Sequence, residues 1–230
     1  MKRIKRFVLR ILRAIWWIAW RFAVLSVVLV LLFRYVNPPT TVLQIIQGTE
    51  HKGEWKSLDE ITHNMPLAVI ASEDQRFPEH WGFDTEAIAA AIEYNRTHDR
   101  KLGASTISQQ TAKNVFLWPS RSWLRKGLEA WFTLWIELLW SKERIMEVYL
   151  NVIEMGPQCF GVDGAAHYYF KKSPDKLSRS QCALIAAALP SPRKSNPGKP
   201  SAYLSKRSGQ IQRQMRLLGG KSYLPWTGSE

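Results

Sequence analysis

The chain has 230 residues, enough for one domain with a sizeable hydrophobic core once an N-terminal segment is set aside. Its formal net charge of +13 suggests nucleic-acid binding, but residues 1–49 contain eight basic residues and no acidic one. The remaining 24 basic and 19 acidic residues leave a surplus of only five. The excess charge therefore belongs to the N-terminal segment, and we expect no nucleic-acid partner.

The N-terminal segment has the composition of a membrane anchor. Six of the first 13 residues are Lys or Arg, and they precede the mostly apolar run AIWWIAWRFAVLSVVLVLLF at residues 14–33. Twenty such residues match the length of a bilayer-spanning helix, and Arg21 can reach back toward the basic flank. We predict a cytoplasmic basic segment (1–13), a transmembrane anchor (14–36) and export of the chain from residue 37 onward. A cleavable signal peptide is the alternative, but the stretch FRYVNPPTT at the end of the run has no small-x-small cleavage site.

The exported part is predicted to be mainly helical. Residues 37–59 form a linker and the start of the exported region, and residues 60–230 form the catalytic domain. From Ile61 onward, apolar residues recur with a 3.6-residue period. We expect a buried helix that opens after Pro66, a helix over residues 85–97 capped by a Thr or Asp, and a last helix over residues 203–218 that ends at two glycines.

The chain has two cysteines, Cys159 and Cys182, in a domain that we place in an oxidising compartment. Either they form a disulfide or they are two buried free thiols. We favour free thiols because each lies in a helix-like apolar stretch. No metal-binding pattern of Cys and His occurs in the sequence.

The stretch IASEDQRFPEHWGFD places two adjacent carboxylates, Glu73 and Asp74, among large aromatic residues. Carboxylates in such surroundings are usually paired, or their pKa is tuned for chemistry. Neighbouring residues on a helix face different directions, so we expect one of the two to point into a cleft and the other to cap or pair. A buried salt bridge is the structural alternative.

Two later stretches have the residue types of an anion site. GASTISQQTAKN, residues 103–114, combines small hydroxylated residues, two glutamines and Lys113 on a predicted turn and helix start, which suits a phosphate group. It is not a Walker A loop. RKGLE places Arg125 and Glu129 on one helical face, where the alternative is a plain ion pair that stabilises by about 0.3 to 0.5 kcal/mol.

Taken together, these stretches resemble the peptidoglycan glycosyltransferases, the family of monofunctional biosynthetic transglycosylases and of class A penicillin-binding proteins. The motifs occur in the same order as in that family: EDQRFPEHWGFD, GASTISQQTAKN, RKGLE, KERIMEVYLNVIEMG, GVDGAAHYYFKK and ALIAAALPSPRKSNP. The resemblance covers about residues 60–200. Ala104 and Gln181 depart from the pattern, which usually has Gly and Glu there.

The resemblance implies a lysozyme-like helical domain in which Glu73 is the general base and Glu129 a second catalytic carboxylate. Glu129 is also a candidate metal ligand. The remaining motif positions are implied to bind substrate: Asp74, Phe77, His80, Ser105, Thr106, Gln109, Gln110, Lys113, Arg125, Lys126, Tyr149 and Asn151.

The implied reaction joins lipid II units into β-1,4-linked glycan strands and releases undecaprenyl diphosphate. A carboxylate would take the proton of the acceptor hydroxyl, and cations or a divalent metal, Mg²⁺ or Mn²⁺, would stabilise the leaving diphosphate. We expect no organic cofactor. The expected location is the bacterial inner membrane, with a cytoplasmic N-terminus and a periplasmic catalytic domain. The partners of the protein would be lipid II, the growing strand, membrane lipid and proteins of the division or elongation machinery.

Two other classes of protein share some of these features. A membrane-anchored murein hydrolase or lytic transglycosylase would share the helical fold and a single key glutamate, but it has no use for the cations Lys113 and Arg125. A non-catalytic scaffold would not need Glu73 and Glu129.

Overall fold

The computed structural model describes residues 2–99, 102–224 and 226, which fall into two compact units, one ending at Val36 and one beginning at Asn37. The described residues of the first unit form one helix, α1 (Lys2–Tyr35). The helices of the second unit, within the described residues, are α2 (Val42–Gln47), α3 (Asn64–Glu73), α4 (Thr85–Thr97), α5 (Ile107–Phe116), α6 (Trp123–Leu139), α7 (Lys142–Val152), α8 (Gly161–Phe170), α9 (Arg179–Ala188) and α10 (Ala202–Leu217).

Helix α1 is continuous for 34 residues, about 51 Å at the usual rise per residue. By length and composition it can cross a membrane, which fits a single-pass anchor. The guanidinium carbon of Arg21 lies 3.2 Å from the ring centroid of Trp17, one turn toward the N-terminus. The charge of Arg21 is thus directed toward the basic end of the helix, as its position in the sequence predicts.

Helix α3 is buried around most of its circumference, because Met65 to Ala71 are all buried. It packs against α9 and α10. The prediction that it opens after Pro66 is wrong: α3 begins at Asn64, since proline is tolerated in a first turn, where its missing N–H would have no helical partner. It ends at Glu73, at the boundary between the core and a cleft.

A second group of helices packs beside the first. Helix α5 packs against α6 and α7, and α8 packs against α7 and a short hairpin. The hairpin pairs β1 (Glu154–Gly156) with β2 (Cys159–Phe160) in an antiparallel arrangement. The helix-like assignment around Cys159 is therefore wrong, because this residue lies in a strand. Cys159 and Cys182 are both buried free thiols, the alternative that the sequence favours.

Two predicted helix ends can be compared with the structure. Helix α4 spans the predicted residues, and the Asp84 side chain caps it by accepting the N–H of Ala87 at 2.9 Å. Helix α10 lies one residue earlier than predicted, and Gly219 follows it with a φ of 97°. A left-handed residue at this point is a common way to end a helix, and glycine adopts it without strain.

Candidate active site

Glu73 lies at the C-terminal end of α3 and is half-buried. Its Oε2 accepts a hydrogen bond from Nε2 of Gln110 at 3.1 Å, and its Oε1 accepts a longer one from Oγ of Ser72 at 3.4 Å. Burial raises the pKa of Glu73, while these two hydrogen bonds and the charge of Arg207 act in the opposite direction. A carboxyl group with a raised pKa accepts a proton more readily near neutral pH.

Asp74 is buried, and its hydrogen-bond partners differ from those of Glu73. Its Oδ1 lies 2.9 Å from Nε2 of His80, and its Oδ2 accepts the N–H of Ile107 at 3.0 Å. Because the N–H of Gly82 donates to Nδ1 of His80, Nε2 carries the imidazole proton and donates to Asp74. Asp74 therefore caps α5 and holds its first turn against the end of α3.

The first turn of α5 is fixed by its own capping box. The side chain of Thr106 accepts the N–H of Gln109 at 3.2 Å, and Oε1 of Gln109 accepts the N–H of Thr106 at 3.1 Å. Thr106 also donates to the carbonyl of Gly82 at 2.7 Å. Gly82 has a φ of 81°, and a Cβ there would lie 2.6 Å from Thr133, so only glycine fits. Since Thr106 and Gln109 are buried and committed to the cap, we assign them to building α5, whereas Ser105 is exposed at a cleft.

Glu129 is buried on α6 between two cations. Its Oε2 lies 2.6 Å from Nη1 of Arg125, and its Oε1 contacts Nζ of Lys126. The side chain of Glu129 is 3% exposed and that of Arg125 is 13% exposed. Arg125 and Glu129 are therefore not the exposed ion pair that the sequence left as an alternative, because both side chains are largely buried. Removing one partner of a buried ion pair costs about 3 to 5 kcal/mol of stability.

Lys113 extends from α5 toward the same cluster. Burial lowers the pKa of Lys113, the charges of Arg125 and Lys126 lower it further, and the charge of Glu129 opposes them. Nε of Arg125 is buried and has no hydrogen-bond partner among the described residues. Crowded cations with an unused buried donor favour the binding of an anion.

Two cavities adjoin these groups. One of about 640 Å³ lies at the end of α3 and is lined by Glu73, Tyr94 and Ser105. The other, of about 480 Å³, is lined by Lys113 and Arg125. The charge of Lys113 interacts with both Glu73 and Glu129, so it links the carboxylate of α3 to the cluster on α6.

Comparison with known proteins identifies the family. The Transglycosylase family model matches residues 40–216, which is most of the chain. The chain belongs to the transglycosylase family. A protein of Pseudomonas putida (strain W619) named biosynthetic peptidoglycan transglycosylase is 51% identical over 224 residues, which cover 94% of this chain and 93% of the relative. A protein of the same name from Pseudomonas syringae pv. syringae (strain B728a) is 50% identical with the same coverage. The predicted family, helical lysozyme-like fold and glycosyl-transferring activity are therefore confirmed.

In this transglycosylase the cationic cavity contains residues that the sequence prediction missed. Arg121 and Arg193 also line it. The guanidinium of Arg193 makes two hydrogen bonds to Glu154, from Nε at 2.8 Å and from Nη2 at 3.2 Å. Arg193 lies in the PSPRKSNP stretch of the family resemblance, which was the available signal, but the stretch does not show which cavity its side chain lines.

Three predicted substrate contacts of the transglycosylase are buried away from both cavities. Phe77 is fully buried under Nζ of Lys142, which lies 4.7 Å from its ring centroid. Asn151 bonds to both backbone groups of Lys56, with its Oδ1 and Nδ2 each at 2.8 Å. Tyr149 is fully buried on α7. These positions do not support direct contact with substrate and instead assign the three residues to packing and positioning.

The described residues of this transglycosylase do not form a metal site built by the protein alone. Among the described residues no group of three or more His, Cys, Asp and Glu could hold a metal ion. Both oxygens of Glu129 are already paired with cations, which would repel a divalent ion. The family's activity is compatible with a divalent cation, but this donor set does not fit one.

Proposed function

We propose that this transglycosylase polymerises lipid II into β-1,4-linked glycan strands during cell wall biosynthesis and releases undecaprenyl diphosphate. One observation carries the proposal: Gln110, which donates to the Glu73 carboxylate at 3.1 Å, lies one turn before Lys113 on α5, and Lys113 lines the cavity that Arg125 also lines. A proton acceptor and an anion site thus adjoin, as transfer from a diphosphate donor requires. The name shared by the relatives, biosynthetic peptidoglycan transglycosylase, supports the same reaction.

Glu73 acts as the general base. The 4-hydroxyl oxygen of the acceptor sugar attacks C1 of the donor sugar, its proton passes to the Glu73 carboxylate, and the bond from C1 to the diphosphate oxygen breaks. The electron pair of that bond leaves with the diphosphate. One displacement inverts an α-linked donor to a β-linked product. We place the acceptor in the 640 Å³ cavity, which Glu73 lines.

The leaving diphosphate gains charge as the bond breaks, and cations stabilise it. Lys113 and Arg125 line the 480 Å³ cavity, and the buried Nε of Arg125, which has no hydrogen-bond partner among the described residues, can donate to a phosphate oxygen. Glu129 holds Arg125 and Lys126 in place by ion pairing. Diphosphate leaves as an anion, so the reaction needs no carboxylic acid to protonate it.

The requirement for Mg²⁺ or Mn²⁺ stays a prediction, and no step of this mechanism depends on it. The ion pairs of Glu129 do not support its predicted role as a metal ligand. The cations of the protein supply the positive charge that the leaving group needs.

Helix α1 keeps the enzyme beside a substrate that never leaves the bilayer. We place its basic end in the cytoplasm and the second unit in the periplasm of a bacterial inner membrane, following the positive-inside rule. Tethering confines the search for a lipid-linked donor to the membrane surface and raises its effective concentration. Proteins of the division or elongation machinery stay predicted partners.

The test is polymerisation of lipid II by the full chain purified in detergent. We expect glycan strands to accumulate together with the lipid diphosphate. The matched control is Glu73→Gln, which keeps the size of the side chain but cannot accept the proton. If the folded wild-type protein forms no strands from lipid II, the proposed function is wrong.

A further inference from the structure

Gln110 lies between the base and a buried phenol. On α5, its Nε2 donates to Oε2 of Glu73 at 3.1 Å, and its Oε1 accepts the hydroxyl of Tyr149 at 3.3 Å. Tyr149 is fully buried on α7, whereas Gln110 is half-buried. The three side chains form one hydrogen-bonded chain that runs from the core of the domain to the cavity.

The hydrogen bonds that join these three side chains have one favourable order of donors and acceptors, from Tyr149 through Gln110 to Glu73. The pKa of Tyr149 is raised well above its ordinary value, mainly by burial and also by the charges of Glu73 and Asp74, so the phenol keeps its proton. An ionised carboxylate can only accept hydrogen bonds. If the Gln110 amide turned over, its carbonyl oxygen would face the Glu73 carboxylate and the two would repel each other. A phenol that donates on one side therefore fixes the NH₂ group toward the base on the other.

We propose that Tyr149 is a positioning residue for the transfer reaction, acting through Gln110 to orient the Glu73 carboxylate so that Oε1 receives the proton of the acceptor hydroxyl. The inference rests on the proposed function of this site. Oε2 is occupied by Gln110, whereas the one contact of Oε1 among the described residues is that with Ser72 at 3.4 Å. The less occupied oxygen is the one free to bind a substrate hydroxyl.

The pH dependence of the reaction should show whether the hydrogen bonds from Tyr149 through Gln110 affect the pKa of Glu73. A hydrogen bond to the ionised form of Glu73 favours ionisation and lowers its pKa, against the effect of burial. The other charged groups that act on Glu73 are Asp74 beside it, Arg207 from α10 and Lys113 from α5. All three are unchanged in a Tyr149→Phe variant, so a shift in that variant reports the lost hydroxyl.

The experiment measures kcat and KM for lipid II from about pH 5 to about pH 9 in the full-length wild-type protein and in Tyr149→Phe. Without the phenol donor, the Gln110 amide is free to turn and the base loses a stabilising hydrogen bond, so its pKa rises. We expect the acid limb of the plot of kcat against pH to move up by about one pH unit. At pH values below this limb kcat should drop about tenfold, with little change in KM.

Tyr169→Phe is the matched control. Its hydroxyl donates to the carbonyl of Met155 at 3.3 Å, and burial raises its pKa as well, but it lines neither cavity. This variant should keep the wild-type acid limb. Loss of stability from removing a hydroxyl would appear in the melting curves of both variants, whereas the shifted limb should appear only in Tyr149→Phe.

A double variant separates positioning from folding. If Tyr149 acts through Gln110, Tyr149→Phe combined with Gln110→Ala should be no slower than Gln110→Ala alone. Additive losses, or an acid limb in Tyr149→Phe that coincides with that of the wild type, overturn the proposal while wild-type polymerisation continues. Failure of the wild type to polymerise lipid II would instead overturn the proposed function, so the two failures are distinguishable.

Discussion

Glu73 and Glu129 are two glutamates that the same fold places in opposite surroundings. Glu73 has neutral hydrogen-bond partners, Gln110 and Ser72, and it lines a cavity of about 640 Å³. Glu129 is 3% exposed and bonds to two cations, Arg125 and Lys126. Glu73 is desolvated and has no direct ion pair within the part of the chain that the structure describes, whereas Glu129 is neutralised by its neighbours.

The difference shows how one residue type takes two roles. Desolvation without pairing raises the pKa of Glu73 and gives a base that remains open to substrate. Ion pairing instead makes Glu129 an anchor whose loss releases Arg125 and Lys126. Substitution of the two glutamates should therefore change different properties: chiefly activity, with a small gain in stability at high pH, for Glu73, and activity together with a loss of stability for Glu129.

The largest effect is expected from Glu73→Gln. The amide is nearly isosteric but cannot take the proton, so turnover of lipid II should fall by at least about a hundredfold. Steady-state rates at saturating lipid II measure this loss. Glu93→Gln is the control, since Glu93 is an exposed glutamate on α4 paired with Arg96, and it should retain wild-type turnover. A folded Glu73→Gln variant with more than half of the wild-type rate would contradict the assignment.

Glu129→Gln should lower both activity and stability. It leaves Arg125 buried without its counter-ion, which costs about 3 kcal/mol of unfolding free energy or more, and it releases the cations from the diphosphate site. We expect a loss of about tenfold or more in turnover and a clear drop in melting temperature. Kinetics and melting curves on the same preparation test this. A Glu129→Gln variant as stable and as active as the wild type would show that Glu129 does not position Arg125 at the diphosphate site.

Lys113→Ala should lower turnover while leaving the melting temperature nearly unchanged. Burial lowers the pKa of this lysine, which shows that its charged form is poorly solvated, so its removal costs the folded state little. The loss of one cation at the leaving group should cost about tenfold to a hundredfold in kcat. The control is Lys206→Ala, an exposed position on α10. A melting loss large enough to explain the activity loss would make Lys113 structural.

The smallest effect is a gain in stability. Because the folded-state pKa of Glu73 is raised, the folded protein retains a proton that the unfolded chain has lost. Stability therefore falls as pH rises from the ordinary glutamate value through the raised one. Glu73→Gln removes this cost, so its melting temperature should equal that of the wild type below about pH 4 and slightly exceed it near pH 8. An equal or lower melting temperature near pH 8 would argue against a desolvated carboxylate.

The local features of the site could be predicted from the sequence. The adjacent pair at Glu73 and Asp74 predicts that one carboxylate faces a cleft and one caps, and Asp74 caps α5. The four-residue spacing of Arg125 and Glu129 predicts their contact. Helical periodicity determines which residues share a face, and these features need no more than that.

The burial of the site residues and their long-range contacts could not be predicted from the sequence. The burial of Glu129 depends on how α5 packs against α6, and a local spacing has the same form in a buried or an exposed helix. Arg193 meets Glu154 only because the loop after α9 returns to β1. Tyr149 was predicted to bind substrate from its motif, but a motif does not tell whether a side chain reaches the ligand or supports a neighbour that does.

The most direct test of this account offers the same purified protein lipid II and finished murein in parallel and analyses the products. We expect β-1,4-linked strands and free lipid diphosphate from lipid II, with no cleavage of murein. Both the wild type and Glu73→Gln should be measured, because strand formation should disappear in the variant. Cleavage of murein by the wild type without polymerisation of lipid II would contradict the account and identify a hydrolase or lytic transglycosylase instead.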